Sequence, residues 1–170
     1  EWHNIHKNYS YSSSKDCLYW FNERADVGAL AGAAWKCNAF CLEEFSSLKK
    51  HSEKLRSIGR YDLWFKHKEK EYYVEAKRID LSITVLTKSD SRIAKIKEAL
   101  RAARKDAVKA IRDNTGEGPK GQKLGIVFIV PYLAMKRRND IDNHIKTIIE
   151  EIKVQKFDIM AYAFPKKHRE

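Results

Sequence analysis

Asp62, Glu75 and Lys77 are the residues of this chain whose types and spacing could do chemistry. They lie in the stretch 59–79, where two apolar-rich runs, Tyr61–Phe65 and Tyr72–Ala76, flank the polar segment His67-Lys68-Glu69-Lys70. Each run alternates between apolar and polar, the period of a β-strand. In the first, Leu63 and Phe65 point one way and Asp62 and Trp64 the other. In the second, Val74 and Ala76 oppose Tyr73, Glu75 and Lys77. A hairpin centred between Lys68 and Glu69 opposes residues whose numbers sum to 137, which sets Asp62 against Glu75. Opposed side chains in an antiparallel ladder stand roughly 4.5–5.5 Å apart at Cβ, and like charges there destabilise the sheet. A shared divalent cation removes the conflict, because Mg²⁺ takes hard oxygen ligands. A neighbouring ammonium cannot hold the metal, but it can face negative charge building on a phosphate. The plain alternative is a solvated hairpin face with ordinary surface charges.

In this pattern Asp62, followed by Glu75-Ala76-Lys77, resembles the Asp…Glu-x-Lys signature of the PD-(D/E)xK nuclease superfamily, whose fold is restriction endonuclease-like. Tyr61 stands where that family often has Pro. The resemblance implies Mg²⁺ or Mn²⁺ held by Asp62 and Glu75, with the carbonyl of Ala76 as a further ligand. It implies Lys77 as the group that positions the attacking water or stabilises the phosphate charge. It also implies an additional acidic residue on a helix ahead of the sheet. Glu23 is the candidate for that place, with Glu44 as a second; the other reading of Glu23 is favourable charge at a helix N-terminus.

The elements that would hold these residues can be read from pattern. The chain has 170 residues, 43% of them hydrophobic, which suits one domain with a packed core. Residues 1–14 read as a loosely held polar and aromatic arm. A helical region is expected between about Lys15 and Trp35, with Asn22 capping a segment that opens at Glu23. Ala39–Ser46 reads as a first strand, although Phe40, Leu42 and Phe45 do not alternate cleanly around Glu43-Glu44. After the hairpin, Arg92 to Arg112 is the clearest helix, with Ser91 able to cap it and apolar residues recurring at three- and four-residue spacing. Leu124–Val130 is a short apolar run that fits a central strand buried on both faces. Asp140–Ile152 is a helix and Phe157–Phe164 a last strand, followed by a basic tail from Pro165. The expected class is therefore α/β, a mixed central sheet flanked by helices in the order α-β-β-β-α-β-α-β, which matches the restriction endonuclease-like core.

Charge bears on the partner. The net charge is +11, which favours a polyanion, most often nucleic acid. The 92–112 helix carries eight cations against Glu98 and Asp106, a net +6. Arg92, Lys95 and Arg101 are its candidate phosphate contacts, with Arg60 beside Asp62 as another and Tyr73 as a residue to stack on a base or sugar. Three cysteines, Cys17, Cys37 and Cys41, have no metal-ligand spacing and fit a reduced, cytoplasmic setting. No run of apolar residues is long enough to span a membrane. The glycine-rich stretch 114–122 lacks Gly-Lys-Ser/Thr and is not a nucleotide-cradling loop. The reading that follows is a metal-dependent nuclease, most simply a DNA endonuclease, with a homodimer needed if both strands are cut. The rival is a non-catalytic nucleic-acid-binding module on the same fold; a basic protein–protein module using the 92–112 face is a third reading.

Overall fold

The computed structural model describes residues 1–12, 17–50, 56–82, 89–108, 121–132, 141–153, 158 and 161. Its elements are α1 (Trp2–Ser12), a 3₁₀ turn (Leu18–Trp20), α2 (Glu23–Lys36), β1 (Phe40–Lys50), β2 (Arg56–His67), β3 (Lys70–Ser82), α3 (Ser89–Val108), β4 (Gln122–Tyr132) and α4 (Ile141–Lys153). The sheet runs β1-β2-β3-β4; the first three strands are antiparallel and β4 is parallel to β3, reached through α3. This is the mixed sheet flanked by helices that the pattern implies. Of the expected last strand, Phe157–Phe164, the structure describes only Asp158 and Ala161, neither of them in a strand; the rest of it, residues 109–120 and the basic tail lie outside the described residues.

The hairpin register is the one the alternation dictates: Leu63 pairs with Val74 and His67 with Lys70, and Lys68 takes a left-handed φ of 53° in the turn. Apolar alternation then sorts the two faces. Leu63, Val74 and Ala76 are fully buried with Val27 and Ala31 of α2, Cys41 of β1, and Leu124, Ile126 and Phe128 of β4 beside them. On the other face Ile79, Leu81 and Ile129 pack with Ile96 and Leu100 of α3 and Ile148 and Ile152 of α4. α3 lies directly on β4. A Cβ on Gly125 would stand 2.6 Å from the Arg104 backbone nitrogen, so only glycine permits this approach.

Two expectations are corrected. The N-terminal arm is a helix in its first twelve residues: α1 packs on α2, with Ile5 against Gly32, and buries His6 between Trp2 and Tyr19. Burial, then the nearby His3, holds His6 below its ordinary pKa, as expected for an imidazole whose two nitrogens find no hydrogen-bond partner among the described residues. β4 is also less enclosed than a central strand: most of it is half-buried, and among the described residues only β3 pairs with it. The most enclosed strand is β3. Among the described residues, no helix is long and apolar enough to cross a membrane.

Gly125→Ala is expected to lower stability by about 1–3 kcal/mol, because the new methyl meets backbone that cannot rotate away. Urea unfolding would show this as a lower midpoint at unchanged slope; an unchanged midpoint would contradict the close helix–strand contact.

Candidate active site

The regular ladder between β2 and β3 stops at Leu63–Val74, one pair short of Asp62 and Glu75. At this point the alternation slips. Leu63 faces α2, whereas Tyr61, two residues earlier, faces α3: its ring lies 5.2 Å from that of Tyr73 and its hydroxyl points at the Ala107 carbonyl, 3.4 Å away. Asp62 sits at the slip. Its Oδ2 accepts the Ala76 amide at 2.6 Å, so a side chain replaces the strand-to-strand backbone bond. The matching irregularity on β1 is Glu44, a non-glycine residue with φ of 49°. Pairing of β1 with β2 keeps its register on both sides of Glu44, from Glu43–Leu63 to Phe45–Tyr61. The backbone thus rotates locally without gaining a residue. Left-handed backbone at a non-glycine residue costs free energy and clusters at functional positions.

These paired irregularities open a cleft on the α2 side. Glu23, Arg24, Val27, Glu43, Glu44 and Asp62 line a cavity of about 140 Å³. Asn22 caps α2 by accepting the Ala25 amide at 2.9 Å, which fixes where Glu23 and Arg24 begin. Glu43 lies against the helix, its Oε2 3.7 Å from where a Cβ on Gly28 would be. Glu44 holds two guanidiniums, Arg24 at 2.9 Å and Arg60 at 2.6 Å. Hard carboxylate oxygens are the donors Mg²⁺ and Mn²⁺ take, so the chemistry of this lining fits such an ion. Among the described residues, no three carboxylate, imidazole or thiolate groups stand together as a complete ligand set.

The residues singled out in the sequence are divided by the sheet. Asp62 and Glu23 share the cleft, with Glu44 beside them and Arg60 at its mouth. Glu75 and Lys77 are on the α3 side. Glu75 is only 4% exposed, and its charge, after burial itself, helps to push the Tyr61 hydroxyl to a higher pKa. Lys77 Nζ stands 3.3 Å from Asp106 of α3. The expected alternation put Asp62 on the face of Glu75 and Lys77; the slip turns it to the other. The two sets meet at Ala76, whose amide binds Asp62 and whose neighbours are Glu75 and Lys77.

Glu43 was not singled out, and its signal was the broken alternation of β1 around the Glu43-Glu44 pair. Three of the expected nucleic-acid contacts are also engaged within the fold. Tyr73 packs on Tyr61 and donates to Glu71 at 3.3 Å. Arg92 is buried and forms a two-pronged ion pair with Glu151 of α4, at 3.0 and 2.5 Å. Lys95 donates to the Asp80 carbonyl at 2.7 Å. Arg101 is exposed, as are Lys97, Arg104 and Lys105, at spacings of three and four residues along α3.

Comparison of the chain with models of protein families, with curated proteins and with solved structures gives no match.

Beneath the cleft, Asp26 of α2 is 1% exposed and its Oδ2 lies 3.9 Å from Arg78 Nη1, outside hydrogen-bond distance. Burial raises its pKa to about 6, against the pull of Arg78 and with help from Glu23 and Asp80. A raised carboxylate pKa means that the folded state binds the proton more tightly than the unfolded chain. Asp26 therefore contributes most below its ordinary value of 3.8, and this contribution is lost as pH rises through about 6. Asn cannot ionise, so the stability of the native protein relative to Asp26→Asn is expected to fall across that window by on the order of 3 kcal/mol. Denaturant titrations of both proteins at several pH values check this; parallel curves would refute it.

Proposed function

We propose that the chain is a divalent-metal-dependent nuclease whose cation site is centred on Asp62. The observation that carries this reading is the Asp62 carboxylate, fixed by the Ala76 amide at 2.6 Å in a cleft whose other acids are Glu23, Glu43 and Glu44. Mg²⁺ is commonly bound through one or two carboxylates, with water and phosphate oxygens completing its shell. Asp62 with Glu43 or Glu23 would supply such carboxylates. When bound, the ion supplies charge neutralisation at a phosphodiester and a more acidic water.

The chain's own residues perform the remaining tasks. Glu44 orients Arg24 and Arg60 at the mouth of the cleft, where guanidiniums can meet phosphate oxygens of a nucleic acid. Ala76 keeps Asp62 from turning toward solvent. Lys97, Arg101, Arg104 and Lys105 add a positive stripe that attracts a phosphate backbone from a distance. Glu75 and Lys77 act on the other side of Ala76: Asp106 neutralises the half-buried Lys77, and with the buried Glu75 it sets the position of the Ala76 amide. DNA is the simplest substrate for a chain of net charge +11.

A non-catalytic nucleic-acid-binding module is the second reading, favoured by the burial of Glu75 and the ion pair of Lys77. Supercoiled plasmid incubated with the protein separates the two. The nuclease reading expects conversion to nicked or linear DNA with Mg²⁺ or Mn²⁺, none with EDTA, and a loss of at least about 100-fold in Asp62→Asn. A salt-sensitive mobility shift without strand breaks, under every metal condition, would sink the nuclease and leave the binder.

A further inference from the structure

We infer that Trp20 and Phe21 form a base-stacking site at the mouth of the cleft, so that the nucleic acid taken there is single-stranded. This rests on the reading of the Asp62 cleft given above and names its substrate class.

Trp20 and Phe21 are large apolar side chains that the fold leaves in water, 58% and 55% exposed. Their backbone is held firmly. The Trp20 amide donates to the Cys17 carbonyl at 3.0 Å, and the Phe21 amide donates to the Leu18 carbonyl at 3.3 Å, which closes the 3₁₀ turn. Cys17 at the start of the turn is buried. Tyr19 within it lies 6.1 Å from the His6 ring and edge-on to Trp20 at 6.2 Å. After the turn, Asn22 caps α2. The two rings are thus mounted on an ordered segment, so little conformational freedom is lost when a ligand covers them.

The residues that follow line the cleft. Glu23 and Arg24 come two and three positions after Phe21, spans of at most about 7 and 11 Å. Arg24 and Arg60 are tied to Glu44 yet keep most of their side-chain surface in solvent. Glu23, Glu43, Glu44 and Asp62 outnumber these arginines by two charges, an excess that one divalent cation cancels. With the cation bound, the net +11 of the chain favours a polyanion at the mouth. A phosphate on the guanidiniums then has a neighbouring base within reach of the rings. Cations along the backbone and aromatic faces under the bases are how proteins hold single strands without regard to sequence. A base inside a duplex is already stacked on both faces and must be unstacked before a ring can take it. The rings therefore favour unpaired bases. One site suffices for a single-stranded substrate, and no second copy of the chain is required. Trp35 is nearly as exposed, at 53%, but lies on the order of 18 Å further along α2, which makes it a control.

Fluorescence anisotropy of a labelled oligothymidylate of about 12 nucleotides, and of a duplex of the same length, tests this in Mg²⁺ and in EDTA, with probe integrity checked on a gel. In Mg²⁺ the native chain is expected to bind the single strand at least about fivefold more tightly than the duplex. Trp20→Ala and Phe21→Ala should each weaken the single strand at least about fivefold and the duplex less than about twofold, with unchanged circular dichroism. Trp20→Phe keeps a ring and should retain most of the affinity, and Trp35→Ala should change neither probe. Equal losses for both probes, or no loss for either, would overturn the proposal. So would a dimer in sedimentation velocity that Trp20→Ala disperses, because the rings would then serve contact between copies. The nuclease reading fails separately. A chain that never nicks plasmid yet shows these affinities keeps the stacking site, whereas one that nicks plasmid but binds both probes alike loses only the single-strand assignment.

Discussion

One hydrogen bond, from the Ala76 amide to the Asp62 carboxylate, decides the shape of this protein's candidate site. At 2.6 Å it takes the place of a ladder bond where β2 and β3 part. A charged acceptor strengthens such a bond to roughly twice a neutral one. It therefore holds open a gap that backbone pairing would otherwise close. The slip that lets Asp62 reach Ala76 also turns Tyr61 toward α3 and leaves Leu63 facing α2. Core packing on both faces thus depends on the same local rotation, and Glu44 on β1 repeats it. The two irregularities face each other across the β1–β2 pair and leave the register intact on either side.

The consequence is a division of labour across the sheet. On the α2 side, carboxylates gather around a small cavity, and Glu44 ties down the two arginines that would otherwise neutralise it. Asp26 and Arg78 lie deeper on that side, close but not hydrogen-bonded, and burial keeps Asp26 near neutrality at mildly acidic pH. On the α3 side, Glu75, Tyr61, Tyr73, Lys77 and Asp106 occupy the space between helix and strand. The approach of α3 to Gly125, the residue paired with Glu75, buries Glu75 and leaves the Lys77–Asp106 pair part-exposed at the edge of that side. A buried carboxylate and a paired lysine suit positioning better than contact with a large substrate, whereas the α2 side is open.

Much of this frame was legible in the sequence because it follows from local rules. Apolar alternation fixed the faces and register of the hairpin, three- and four-residue spacing marked α3 and α4, and Asn22 announced the start of α2. Asp62 could be singled out because strand register set it opposite a second carboxylate, and Glu23 because the resemblance implies an acidic residue on the helix ahead of the sheet. The remainder depends on contacts or conformations that sequence does not display. A left-handed backbone at Glu44 cannot be read from a glutamate, so the role of Glu43 showed only as an imperfect pattern. The slip at Asp62 turns it away from the face of Glu75 and Lys77, where strict period-two counting puts it. Arg92 looked like part of a solvated basic face, and its partner Glu151 is 59 residues away in the chain. α1 escaped notice because its packed face is His6 with Trp2 and a single aliphatic residue, Ile5, rather than an aliphatic stripe.

In the proposed nuclease, Asp62 would anchor a divalent cation in the α2-side cleft. Titration of the metal-free protein with Mn²⁺, followed by electron paramagnetic resonance of the free ion, tests it without reference to catalysis. Saturable binding by the native chain and at least about tenfold weaker binding in Asp62→Asn are expected, with Glu43→Gln also weakened and Glu75→Gln affected less. Equal affinity in the native and Asp62→Asn proteins, or loss confined to Glu75→Gln, would contradict it and move the site to the other side of the sheet.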